Sequence, residues 1–193
     1  TILLDTGAGT VTFENLNVSS SAPGYLVSSK RTTGITVTAA GSNTFTLNAN
    51  NTASSAILLH TVGDLTIRGT GSLTLNVNRD SAATSMKAVY CGGELLITGN
   101  INMTLNAPKP SSGSSFYDRN IGIRCVKFTI GVKDSETISP SLKIYMYGAD
   151  GKTLDQNYNS VGIITEGGIM TAWGGKLLIC AYNGLYAPGH YIY

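Results

Sequence analysis

The stretches AILLHTVGDLTI at residues 56–67 and AVYCGGELLI at residues 88–97 decide the fold class, because they repeat one pattern. Each is a short apolar strand, a turn that contains glycine, an acidic residue and a second short strand. A third apolar segment follows each of them, LTLNV at residues 73–77 and MTLNA at residues 103–107. A recurring unit of three short strands is typical of solenoid proteins, in which each unit stacks on its neighbours.

The same unit recurs on both sides of these stretches. The strand after each glycine turn is predicted to begin at residues 11, 35, 65, 95, 128 and 169. No helix-length segment separates these strands, and the Asn-Gly and Asp-Gly pairs that close antiparallel hairpins occur only at residues 150–151 and 183–184. The pattern predicts an all-β, right-handed parallel β-helix of about six coils. Its strands are expected to form three short parallel sheets in a single domain spanning residues 1–193.

Stacked coils align equivalent strand residues in columns about 4.8 Å apart. One predicted column is aliphatic and consists of Leu58, Val89, Ile123 and Ile163. The column two residues further along consists of His60, Cys91, Cys125 and Thr165. Strict alternation along a strand predicts that both columns face the core. Zinc needs ligands that converge, whereas a ladder aims its side chains in parallel, so we interpret the second column as buried small polar side chains and free thiols.

Composition narrows the class of protein. The 193 residues carry 42% hydrophobic and 12% charged side chains, with a net charge of +2. This charge is small and no basic cluster is interleaved with aromatic residues, which argues against nucleic-acid binding. No apolar run approaches the roughly 18 residues of a membrane-spanning helix. Few charges together with many Ser, Thr and Asn residues favour an extracellular or cell-surface location.

Catalytic motifs are absent from the sequence. The 11 Asp and Glu residues are spread along the chain, and no pair has the arrangement that glycosidases use. No Gly-x-Ser-x-Gly nucleophile motif occurs. We therefore expect a non-catalytic protein, and keep a polysaccharide lyase as a third interpretation.

Three long loops are expected to line up along one edge of the solenoid, at residues 78–87, 108–120 and 148–160. Their charged and aromatic residues form the predicted ridge: Arg79, Asp80, Lys87, Lys109, Tyr117, Asp118, Arg119, Asp150, Lys152, Asp155 and Tyr158. Cations can pair with uronates, carboxylates can accept hydroxyl hydrogen bonds or hold calcium, and aromatic rings can stack on sugars. The ridge therefore predicts polysaccharide binding, although solvated polar loops would look the same. Trp173, the only tryptophan, is either a further stacking residue or the anchor of a turn.

The segments GDLTIRGTGSLTLNV, GGELLITGNINMTLNA and GIITEGGIMTAWGGKLLICA resemble the pectate-lyase-like β-helix family of bacterial carbohydrate-binding domain proteins. The resemblance covers about residues 56–185. It implies a surface or secreted module that binds acidic, uronate-containing plant polysaccharide without catalysis, with calcium as a candidate cofactor. The resemblance supplies no catalytic residues.

The chain starts at Thr1 without a capping helix, and a new coil begins at Gly184. Open strand edges must be covered or paired. The chain is therefore expected to be either an excised part of a longer solenoid or a subunit that stacks end to end. The second possibility predicts an alternative function, a structural subunit of a fibre, adhesin stalk or phage tail spike.

Overall fold

The computed structural model describes residues 1–4, 9–21, 24–49, 56–79, 86–108, 120–147, 160–181 and 183–186. These residues form an all-β structure of short strands and contain no helix. The first twelve strands fall into four successive sets of three, and β13 to β17 continue the stack with fewer strands per set. In chain order they are β1 (Ile2–Leu3), β2 (Thr10–Glu14), β3 (Asn17–Ser20), β4 (Gly24–Ser29), β5 (Ile35–Ala40), β6 (Ser42–Ala49), β7 (Ala56–Thr61), β8 (Leu65–Gly69), β9 (Ser72–Arg79), β10 (Met86–Cys91), β11 (Glu94–Ile97), β12 (Asn102–Pro108), β13 (Asn120–Ile130), β14 (Ser141–Tyr147), β15 (Ser160–Ala172), β16 (Lys176–Cys180) and β17 (Asn183–Tyr186).

Each described strand pairs in parallel with at least one strand of an adjacent set. Leu65 pairs with Ile35 on one side and with Leu95 on the other, so these predicted strand starts are in register. The first and last predicted starts are wrong by one or two residues, because Val11 pairs with Val37 and Met170 pairs with Phe128. The period of the sequence therefore predicts where the strands lie along the chain. Which residues of neighbouring strands are paired is decided by their hydrogen bonds.

The strands form two sheets rather than the expected three. The larger has 11 strands in the order β1-β4-β7-β10-β13-β11-β8-β5-β2, with β15 on β13 and β17 on β15. The smaller has six, in the order β16-β14-β12-β9-β6-β3. Two of the three expected sheets are joined into one because β13 and β15 are continuous strands. At the equivalent position in earlier sets, glycine turns separate β7 from β8 and β10 from β11. As a result β13 pairs with both β10 and β11.

One continuous apolar core runs through the stacked strands, from Leu4 to Met170. On the smaller sheet, alternate residues of β9 and β12 such as Leu73, Leu75 and Leu105 are fully buried. The residues between them point away from the core and are mainly Ser, Thr and Asn. This alternation is the pattern expected for a sheet with one buried and one solvated face.

Alternation is interrupted in the strands of the larger sheet, which corrects the predicted columns. Leu58 and Leu59 are consecutive, yet both pack in the core. The phase of alternation therefore shifts by one residue, and Val89 pairs with Leu59 rather than Leu58. The same shift moves His60 out of the inward column and puts Thr61 in its place.

The corrected inward column is small and polar: Ser29, Thr61, Cys91, Cys125 and Thr165, all buried. The predicted positions of Cys91, Cys125 and Thr165 are confirmed. Cys91 and Cys125 are buried free thiols, as expected, and Cys180 is a partly buried free thiol.

Candidate functional site

Most of the predicted ridge lies outside the described residues, namely Asp80, Lys109, Tyr117, Asp118, Arg119, Asp150, Lys152, Asp155 and Tyr158. Arg79 is the last residue of β9 and pairs with Ala49. The strands that flank the last two ridge loops are paired in register, Pro108 with Tyr147 and Asn120 with Ser160. The points where the chain leaves and re-enters these strands are therefore stacked on one another.

The two other predicted site residues have opposite environments. Lys87 lies within β10 and is only 6% exposed, so it is part of a packed strand rather than of an exposed loop. Trp173 follows β15 and is 47% exposed. The Nζ atom of Lys133 lies 5.5 Å from the centre of the Trp173 ring, a cation–π distance. Trp173 also donates its backbone N–H to Ile130, so it combines an exposed ring with a fixed turn.

A ladder of polar and aromatic side chains runs across the outer face of the larger sheet. We call it the outer ladder: Tyr25, His60, Tyr90, Arg124 and Glu166. Three of its members are aligned by strand pairing, since His60 pairs with Tyr90 and Tyr90 pairs with Arg124. Tyr25 and Glu166 extend the ladder on the neighbouring strands β4 and β15.

The rings of the outer ladder stack on each other. The ring centres of Tyr25 and His60 are 4.2 Å apart with planes inclined by 15°, and those of His60 and Tyr90 are 5.4 Å apart with planes inclined by 13°. The Arg124 guanidinium carbon lies 5.8 Å from the centre of the Tyr90 ring. Because stacking covers the ring faces between neighbours, a ligand that approaches this surface meets ring edges, with their hydroxyl and imidazole groups.

Two ion pairs involve side chains of β13. The Arg124 guanidinium donates to Oε1 of Glu166 through Nε and Nη2. The second pair joins β13 to β11, with Nζ of Lys127 2.8 Å from Oε1 of its register partner Glu94. The four side chains are each at least a quarter exposed, so both pairs are screened by solvent and the Arg124 guanidinium is accessible to a ligand.

Burial changes the titration of the groups around this sheet. Partial burial lowers the pKa of His60 below its ordinary value, and the Nδ1 atom of the ring lies 3.3 Å from the Ser28 hydroxyl. His60 is therefore a neutral hydrogen-bonding group at neutral pH. On the core side of the sheet, burial raises the pKa of the Cys91 and Cys125 thiols, which keeps them protonated.

The outer ladder was missed by the sequence analysis, although a signal for it exists. His60, Tyr90 and Arg124 each stand immediately before a residue of the inward column. Aligning the repeats on Thr61, Cys91 and Cys125 instead of on Leu58 would have placed all three ladder residues in one outward column.

No protein-family model, curated protein or solved structure matches this chain. Within the described ranges, no group of three or more His, Cys, Asp or Glu side chains is placed to hold a metal ion. Among the same residues, no helix has the length and apolar character needed to cross a membrane.

Proposed function

We propose that this chain is a right-handed parallel β-helix that binds acidic, uronate-containing polysaccharide outside the cell, without catalysis. The observation that carries the proposal is the outer ladder, in which His60, Tyr90 and Arg124 occupy one outward column on successive strands. Such a column presents hydrogen-bonding groups at a repeat of about 4.8 Å along the stacking direction. A linear, hydroxyl-rich polymer lying along that direction can contact several of them at once.

The position of the outer ladder also fits the predicted ridge. The ridge loops lead directly into β10, β13 and β15, the strands that carry or extend the ladder. A bound chain could therefore contact the ladder and the ridge residues together, with Asp118 and Arg119 adding contacts and the ridge carboxylates offering ligands to calcium. Arg124 supplies a cation for a uronate carboxylate, in exchange for its contact with Glu166.

The test is affinity electrophoresis through gels that contain polygalacturonate, with and without calcium. The wild-type protein should be retarded. Arg124→Gln should weaken binding by roughly tenfold, because a charge-assisted hydrogen bond is lost. Tyr90→Phe, which keeps the stacking and removes one hydroxyl, should weaken it by a smaller factor. Asp118→Ala and Arg119→Ala test the contribution of the ridge.

Lys143→Ala provides a matched control, because Lys143 is an exposed cation on the outer face of the other sheet. It should leave the retardation by polygalacturonate unchanged, where retardation is the mobility of each protein relative to its own mobility in a gel without polysaccharide. Normal mobility of the wild-type protein with every acidic polysaccharide would overturn the proposal. Release of unsaturated sugar products would show that the chain is a lyase instead.

A second candidate function is that of a structural subunit which assembles end to end. It is favoured by the last described strands, β16 and β17, which have leucine side chains at core positions that are exposed to solvent. Leu177 is 40% exposed although its register partner Leu142 is fully buried, and Leu185 is 37% exposed although Ile163 is fully buried. A second copy stacked on this end would bury the same side chains that each inner coil buries.

A further inference from the structure

A polar cavity of about 330 Å³ opens at the corner where β4 leads into β5 and β7 leads into β8. We call it the corner pocket; its lining is Gly9, Arg31, Thr33, Gly34, Ile35, Thr36, Asp64 and Thr66. Its volume is at the lower end of the range of about 300–1,000 Å³ that small-molecule sites occupy. The corner pocket is therefore of a size that suits a single small ligand.

The backbone around the corner pocket is held by hydrogen bonds between successive coils. Gly63 donates to the carbonyl of Arg31 over 3.0 Å, and Ile35 donates to the carbonyl of Asp64 over 2.9 Å. Gly34 has a positive φ of 84°, and a Cβ atom there would lie 3.1 Å from that of Asp64. The two turns are therefore in close contact, and the pocket has a defined shape in the absence of a ligand.

The charged side chains of the corner pocket are also oriented. Arg31 donates from Nε to the carbonyl of Gly34 and from Nη2 to the hydroxyl of Thr33, each over 3.2 Å. Asp64 accepts the backbone N–H of Glu94 at Oδ1 over 2.7 Å. An oriented guanidinium and an oriented carboxylate thus border the same cavity, together with the hydroxyls of Thr36 and Thr66, which are register partners on adjacent strands.

We propose that the corner pocket is a binding site for a sugar-sized hydroxy acid. Arginine is suited to a carboxylate because its planar guanidinium offers several donors in one plane. Asp64 and the threonine hydroxyls suit the neighbouring hydroxyl groups of the same ligand, since a carboxylate accepts and a hydroxyl both donates and accepts. The ligand can be a free sugar acid or one unit of an acidic polysaccharide. Only the second source rests on the proposed function.

The experiment is an NMR titration of the isotope-labelled protein with galacturonic acid, and in parallel with galactose, which lacks the carboxylate. Galacturonic acid should shift the backbone amide signals of Gly34, Thr36 and Thr66 in a saturable way, and galactose should bind more weakly. Arg31→Gln should weaken galacturonic acid binding by roughly tenfold. Added salt should also weaken it, because the pocket is open to solvent.

Two further variants keep the test decisive. Arg68→Gln is a matched control, because Arg68 is an exposed arginine on β8 that donates to Thr38 and does not line the pocket. Thr66→Val removes one lining hydroxyl with little change of shape, and should weaken binding even if Arg31→Gln does not fold. Equal binding of galacturonic acid and galactose, or wild-type affinity in both Arg31→Gln and Thr66→Val, would overturn the proposal.

A titration with oligogalacturonides of increasing length separates the two sources of ligand. Affinity that is constant with length indicates one sugar acid per pocket. Affinity that rises with length and falls in Arg124→Gln indicates that the pocket and the outer ladder hold one polymer. Polymer binding that is unaffected by Arg31→Gln, together with no saturable binding of free galacturonic acid, would overturn the corner pocket and leave the proposed function standing. Binding of free galacturonic acid without binding of the polymer would support the corner pocket and overturn the proposed function.

Discussion

Cys91 and Cys125 lie on adjacent rungs of the inward column, each about 1% exposed. Their sulfur atoms are close to backbone carbonyls, with Cys91 Sγ 3.4 Å from the carbonyl oxygen of Gly63 and Cys125 Sγ 3.9 Å from that of Ile164. Weak donation by a thiol fits these contacts, whereas a thiolate would face carbonyl oxygens in an apolar surrounding. The two residues therefore act as small core side chains.

Thiol accessibility follows from this burial. In the native protein only Cys180, which is partly exposed, should react with a thiol reagent, and all three cysteines should react in denaturant. A colorimetric thiol count before and after denaturation measures the difference. Rapid reaction of three thiols in the native protein would contradict the structure of the core.

Burial also makes stability depend on pH. It raises the pKa of the Cys125 thiol above its ordinary value, so at high pH the native state keeps the proton while the unfolded state loses it. The free energy of unfolding should therefore fall as the pH rises above about 9. Urea unfolding at pH about 7 and about 10 measures the fall, which should be smaller in Cys125→Ala. An equal fall in both proteins would show that Cys125 is not responsible.

At the scale of the element, the outer face of the smaller sheet is held by amide ladders. Asn106 donates from Nδ2 to Oδ1 of Asn76 over 2.9 Å, and Asn76 donates to the Thr46 hydroxyl over 3.4 Å. Asn78 donates to Asn48 over 3.0 Å in the same direction. These bonds join β6, β9 and β12 side by side, in addition to their backbone pairing.

Asn76→Ala should therefore destabilise the protein by about 1–2 kcal/mol, because it removes two side-chain hydrogen bonds that are each worth roughly 0.5–1.5 kcal/mol. Asn102→Ala is the matched control, because Asn102 is exposed on the adjacent strand and takes no part in the ladder. The control should change stability by less than about 0.5 kcal/mol. Urea unfolding of both variants measures the difference, and equal effects would show that the ladder contributes nothing.

The alternation of inward and outward residues along the strands explains why the candidate site was only partly predictable. On β9 and β12 the buried residues alternate regularly with polar ones, so a local pattern suffices to locate these strands. On β7 and β10 two consecutive residues enter the core, Leu58 with Leu59 and Ala88 with Val89. That change of phase depends on how the strands pack against neighbouring coils, and it decides which residues form the outer ladder.

At the scale of the whole molecule, the parallel sheets expose apolar surface at their last described strands. Leu177 occupies a core position by register and yet is exposed. If copies of the chain assemble end to end, Leu177→Lys should weaken that assembly, because a charge would be buried at the contact.

Ile169→Lys is the control, since Ile169 is equally exposed but pairs with Lys127, away from the core. Sedimentation velocity over a range of protein concentrations measures the assembly. A wild-type protein that stays monomeric at every concentration would exclude the structural-subunit function and favour the polysaccharide-binding one.

The sequence by itself determined the all-β class, the approximate spacing of the strands, their parallel pairing and the buried positions of Val89, Ile123 and Ile163. It could do so because the repeat makes each unit bury the same side chains against its neighbours, as Ile35, Leu65 and Leu95 do. Only the tertiary structure decided that two sheets merge, that His60 faces outward and that Arg31 and Asp64 border one cavity. These features depend on contacts between residues about one coil apart in the chain, which no local pattern of hydrophobicity records.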